Sequence, residues 1–192
     1  MSMLEIIAVV TSFMAIWLTA RRAMLCWPVN LVASALYFKL FLDVRLYADM
    51  VLQALFGAGL VYGWIVWARG KAATGTIVVE PLAVRPAAAA LAAGAAGAVA
   101  IGWFTSHHTD AALPWVDAAL SSFSLVAQFW AARRHAANWL AWIALDSLYV
   151  GMFVFKGLWL TAGLYAAMIA LAVLGYRQWR RGDQAARVTV TI

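Results

Sequence analysis

Two indoles, a carboxylate, a phenol and a phenyl ring fall along one line of this chain. Trp139, Trp142, Asp146, Tyr149 and Phe153 recur at intervals of 3, 4, 3 and 4 residues, which puts all five on one face of a helix. The residues between them are mostly apolar. Stacking and cation–π attraction to an indole contribute about 0.5–2 kcal/mol per ring. With a carboxylate one turn away, the face has the chemistry to hold a flat, cationic ring. An Asp near the centre of an apolar span costs about 2.5–3.5 kcal/mol on insertion scales, and it normally faces a bundle interior or water. The structural alternative is an Asp that only hydrogen-bonds a neighbouring helix.

The same spacing occurs a second time, as Trp27, Asn30, Ser34, Tyr37 and Phe41. Each stripe has a companion on the next apolar segment, where Asp49 and Gln53 correspond to Thr161 and Tyr165. The amides of Asn30, Gln53 and Gln128 and the Tyr149 hydroxyl can bond ligand hydroxyl groups. The candidate binding set is therefore Trp139, Trp142, Asp146, Tyr149, Asn30, Gln53, Gln128, Thr161, Tyr165, Tyr37 and Asp49. Its expected ligand is a small aromatic ring joined to a polar, hydroxylated part.

The elements that carry these stripes are themselves repeated. Residues 11–69 overlay residues 123–181 at a constant shift of 112 (123 less 11). Arg21-Arg22 meets Arg133-Arg134, Trp27 meets Trp139, Tyr37 meets Tyr149, Gly63 meets Gly175 and Trp67 meets Trp179. Internal repeats in an apolar chain are a common plan for carriers, with the solute held between the halves near mid-membrane.

Composition agrees. The 192 residues are 66% hydrophobic and 11% charged, with 11 Trp, more apolar surface than a soluble domain of this size can bury. Seven stretches, near 3–20, 24–42, 46–68, 87–106, 113–131, 136–155 and 158–178, approach the ~20 residues needed to span a bilayer. The first lacks an Ala-x-Ala cleavage signal and belongs to the repeat, so it reads as a retained helix rather than a signal peptide. Trp17, Trp27, Trp64, Trp67, Trp103, Trp115, Trp130, Trp159 and Trp179 lie near span ends, where membrane-interface placement explains them. Trp142 lies about 12 Å inside Arg134 at ~1.5 Å per residue, too deep for that belt.

Net charge +6 and pI 9.9 mark topology rather than nucleic-acid binding. Alternating the loops gives one side Arg21, Arg22, Arg69, Lys71, Arg85, Arg133, Arg134, Arg177, Arg180, Arg181 and Arg187. The other side receives Lys39, Arg45 and Lys156. By the positive-inside rule the C-terminus is cytoplasmic and the N-terminus outside. Three helices reverse the direction of insertion, so a lone fourth span must restore the orientation of the second repeat.

The expected fold is an all-α polytopic membrane protein of seven transmembrane helices, two parallel three-helix repeats joined by a linker helix. The first repeat covers 1–69, the cytoplasmic loop and linker helix 70–106, the second repeat 107–181 and a disordered cytoplasmic tail 182–192. Loop 70–85 reads as a flexible tether. The Ala and Gly faces of helix four suit close packing between the halves. His107, His108 and Asp110 sit in an outer loop as solvated groups, and neither a metal nor a cofactor is expected. The sequence has no Gly-x-x-x-x-Gly-Lys-Ser/Thr motif, so an ATPase would have to be a separate chain. No span contains His, and Cys26 has no partner base in view, which argues against an intramembrane enzyme.

The run LYADMVLQ from Leu46 to Gln53, the NWLAW of Asn138 to Trp142, then Asp146, Tyr149, Lys156 and TAGLY from Thr161 to Tyr165 closely resemble the PnuC vitamin transporters. The resemblance covers nearly the whole chain. It implies the three-plus-one-plus-three plan, like that of the SWEET sugar carriers, in a bacterial inner membrane. It also implies a homotrimer and uptake of a vitamin by facilitated diffusion, with intracellular phosphorylation trapping the substrate for NAD biosynthesis. The W-x-x-W of Trp139 and Trp142 looks like the nicotinamide riboside branch. Thiamine or riboflavin transport, or an ion-coupled carrier, are the alternatives. Nicotinamide riboside is a pyridinium cation bearing a ribose, which suits indoles, a carboxylate and amides.

Overall fold

Schellman turns at two arginine pairs set the path of the chain. Arg22 and Arg134 both adopt left-handed backbone conformations, φ 55° and 64°. At the first turn Arg22 N–H donates to Thr19 O and Ala23 N–H to Leu18 O. At the second, Arg134 N–H donates to Ala131 O and His135 N–H to Trp130 O, all at 2.9–3.0 Å. These bonds satisfy the last carbonyls of a helix and turn the chain sharply into the next one.

The computed structural model describes residues 3–43, 47–109, 113–155, 157 and 159–190. Among them are seven helices: α1 Met3–Ala20, α2 Cys26–Asp43, α3 Tyr47–Thr74, α4 Val84–His108, α5 Pro114–Ala132, α6 Ala137–Phe155 and α7 Trp159–Val190. Arg45, Asp110 and Lys156 lie outside the described residues, as do the side chains of Phe41, Asp49 and Phe153. Helix α7 continues through the segment expected to be disordered. Gln184, Ala185, Ala186 and Arg187 are good helix formers that extend it.

Consecutive helices pack together, α1 on α2 on α3 and α5 on α6 on α7, and the two groups meet where α3 touches α5 and α1 touches α7. Two buried indoles bridge that seam reciprocally. Trp67 Nε1–H donates to Ala131 O at 3.1 Å, and Trp179 Nε1–H donates to Thr19 O at 3.2 Å. Trp67 edges onto Trp27 with centroids 5.1 Å apart and lies 5.8 Å from Trp179, which edges onto Trp139 at 5.6 Å. These four rings form a layer across the bundle.

The layer explains the repeated Gly and corrects part of the interface reading. A Cβ on Gly63 would clash with the Trp27 ring, and one on Gly175 would lie 2.6 Å from Trp139 Cζ2. Each Trp of the second helix thus packs directly against a glycine of the third. Trp17, Trp64, Trp103, Trp115 and Trp159 are exposed, 40% or more, as expected of interface residues. Trp27, Trp67, Trp130 and Trp179 are instead buried. Their place near helix ends marks inter-helix packing rather than a lipid belt, because neighbouring helices cover them.

Two further expectations are overturned. Among the described residues α4 packs against α5 alone, so its small face does not lie between the halves. Gly94 seats Val126 and Phe123, Gly102 seats Trp115, and Ser122 Oγ–H donates to Gly94 O at 2.8 Å. Nor is the segment after α3 a loose tether. Ile77 and Val79 are each 7% exposed and pack with the four-tryptophan cluster, and Glu80 forms a parallel bridge with His135. Ile77 and Val79 at alternate positions, with Glu80 pairing with Arg134 at the second arginine turn, dock it as a short extended strap.

Candidate functional site

Above the tryptophan layer the bundle holds a partly open cavity of about 340 Å³, walled by α1, α2, α3, α5, α6 and α7. That is within the size range of small-molecule sites. Of the residues singled out from sequence, Asn30, Tyr37, Gln53, Gln128, Trp139, Trp142, Asp146, Tyr149 and Tyr165 all line it. Thr161 does not. It lies one turn from Tyr165 along α7, past the cavity wall. Asp49 falls outside the described side chains.

The 3-4-3 spacing on α6 does what helical geometry requires, turning Trp139, Trp142, Asp146 and Tyr149 to one interior. Asp146 is 6% exposed and makes no ion pair among the described residues. Trp142 is half-buried and packs against both apolar clusters of the bundle. Trp139 is more deeply set, pinned between Gly175 and Trp179, so it forms the floor while Trp142 forms wall. Tyr149 and Tyr165 lie against each other, centroids 4.8 Å apart.

The first half contributes amides held in place by their neighbours. Ser34 Oγ–H donates to Gln53 O and lies equally close to Gln53 Oε1, both at 3.0 Å, anchoring Gln53 across α2 and α3. Asn30 Nδ2–H donates to Cys26 O at 2.9 Å and reaches Thr19 Oγ1 at 3.5 Å. Gln128 enters from α5, opposite Gly59.

Sequence reasoning missed several members of the wall. Ser12 and Ser124 both line it, and they are one of the identities of the repeat, a signal that could have found them. Asn138, 1% exposed, also lines it, with Nδ2–H donating to His135 O at 2.7 Å. Its Oδ1 and the Nε1–H groups of Trp27 and Trp139 have no protein partner among the described residues. A buried polar atom left so costs about 1–3 kcal/mol, a cost that a polar ligand edge or water can offset.

The walls thus offer indoles, phenols, amides and a carboxylate: groups that bind and orient. Seven helices around such a chamber have the form of a polytopic bundle with a small-molecule site. The chain belongs to the nicotinamide mononucleotide transporter family, whose model matches residues 2–181. It is 31% identical over 162 residues to the riboflavin/roseoflavin transporter RibM of Streptomyces davaonensis, covering 83% of this chain and 76% of that one. It is 23% identical over 208 residues to the nicotinamide riboside transporter PnuC of Escherichia coli, covering 93% and 85%. The crystal structure of the vitamin B3 transporter PnuC has the same fold, with TM-score 0.73 and 24% identity over 95% of this chain and 82% of that one. The resemblance to PnuC proteins drawn from LYADMVLQ and NWLAW is thereby established as kinship.

Proposed function

We propose that the protein is a uniporter for nicotinamide riboside in a bacterial inner membrane. The observation that carries this reading is Asp146, a buried carboxylate in the cavity wall one turn from Trp142. That pairing favours a pyridinium over a neutral ring, since it adds Coulomb attraction to stacking. The ring lies against Trp142 and above Trp139. Asn30, Gln53, Gln128 and Asn138 meet the carboxamide and ribose, while Asp146, Tyr149, Tyr165 and Tyr37 shape the layer. Diffusion down the gradient is followed by phosphorylation inside the cell, which traps the vitamin for NAD biosynthesis.

The reading includes two parallel three-helix repeats, α1–α3 and α5–α7, with α4 as the linker that restores orientation. Reciprocal Trp67 and Trp179 bonds across the seam support it. Charge bias supports an outer N-terminus and cytoplasmic C-terminus. Alternating access comes from rocking of the halves about the cavity, within a homotrimer as in the resemblance noted above.

A second reading has its own support. The relative that is 31% identical is a riboflavin/roseoflavin transporter, and isoalloxazine is also a flat ring with a hydroxylated tail. Thermal-shift measurements against nicotinamide riboside, riboflavin and thiamine separate the cases. Nicotinamide riboside should raise the melting temperature most. Stabilisation by riboflavin alone, or by thiamine alone, would replace the substrate.

A further inference from the structure

We propose that the strap 76–81 between α3 and α4 is the cytoplasmic gate of the transport path, a plug that must leave its seat before solute can exit. The proposal rests on the transport reading, and it adds which part of the molecule opens. Ile77 and Val79 are buried in the cluster that contains Trp27 and Trp139, and these two rings also line the cavity. Chamber, tryptophan layer and strap are therefore stacked in that order. The arginine turns beside the strap belong to the basic, cytoplasmic side.

The polar contacts that hold the strap to the arginine turns come from both halves of the bundle. Arg22 Nη1 donates to Ile77 O at 3.2 Å. Arg134 pairs with Glu80, Glu80 N–H donates to Arg134 O at 3.0 Å, and His135 Nδ1 lies 3.0 Å from Glu80 O. Arg22 and Arg134 are the two left-handed non-glycine residues of the described chain. Glycine is the usual residue at such a position. Arginine in both copies is explained by a task glycine lacks: reaching the strap. Because one anchor lies in each half, rocking of the halves changes the spacing of the anchors and so releases or reseats the plug.

Cys26 is the single cysteine; it is 1% exposed and belongs to the same cluster as Ile77 and Val79, so it reports on the plug without engineering. In inside-out vesicles, a membrane-impermeant maleimide should label Cys26 slowly in the wild type. Labelling should be about fivefold faster in Glu80→Gln, the scale of losing one partly exposed ion pair. Unchanged labelling in both Glu80→Gln and Arg134→Gln would overturn the proposal. A second variant locks the strap: Glu80→Cys with His135→Cys, in a Cys26→Ala background, joins bridge partners at a spacing a disulfide accepts. Oxidation should abolish vitamin uptake and a reductant restore it; uptake that continues in the oxidised protein overturns the gate. Accelerated Cys26 labelling in Glu80→Gln, with none of the three vitamins taken up by the reduced protein, counts against the vitamin assignment and for the moving strap.

Discussion

In the proposed site Asp146 and Trp142 divide the work of recognition, one by charge and one by surface. Asp146→Asn keeps the shape but removes the charge, so nicotinamide riboside affinity should fall by about tenfold or more, the scale of ~1.4 kcal/mol. Riboflavin, a neutral ring, should be affected far less. Calorimetric titration of both ligands checks this, and an equal loss for both would remove the electrostatic role. Trp142→Ala deletes stacking and cation–π attraction together, so binding should be lost in a protein that still purifies as a folded species. Unchanged affinity would move the site away from α6. Asp146 and Trp142 could be read from the chain because a carboxylate and a deep indole are conspicuous in an apolar span. Asn138 was not, because it lies one residue off the 3-4-3-4 stripe. Only the fold shows that it is buried in the cavity wall.

At the scale of elements, the repeat proves to be a packing rule. Trp27 with Gly63, and Trp139 with Gly175, are ring-on-glycine contacts that let the second and third helices of each group approach closely. Gly175→Ala must push the Trp139 ring aside, an overpacking cost of about 1–3 kcal/mol, so thermal unfolding in detergent should begin at lower temperature. Gly151→Ala is the control: nothing lies within 4 Å of its Cβ position, and alanine favours a helix by roughly 0.5–1 kcal/mol. An equal melting temperature for the two variants would contradict the packing role. Helix starts were legible because apolar length and the Arg pairs mark them; the ends of α3 and α7 were not, since both helices run on past their apolar spans. The partner of α4 was not, since a small-residue face shows that something packs closely without saying what. The strap was misread because its Gly, Thr and Pro suggest freedom, while its seat is supplied by residues distant in sequence.

For the whole molecule, the described residues form seven helices around a chamber, with a tryptophan layer and a docked strap at one end of it. The charge bias, the apolar spans and the internal repeat indicate a carrier from the sequence. They could not show how the halves join, because the Trp67 and Trp179 bonds to Ala131 and Thr19 cross between groups of helices. Nor does sequence pattern distinguish a passive path from a coupled one, since no membrane-facing motif marks either. The most direct test is uptake by the purified chain in liposomes, with labelled nicotinamide riboside outside and neither ATP nor any ion gradient present. The account predicts entry until inside and outside concentrations are equal, and much slower entry with Trp142→Ala. Uptake of riboflavin but not nicotinamide riboside, or entry only when an ion gradient is imposed, would contradict it.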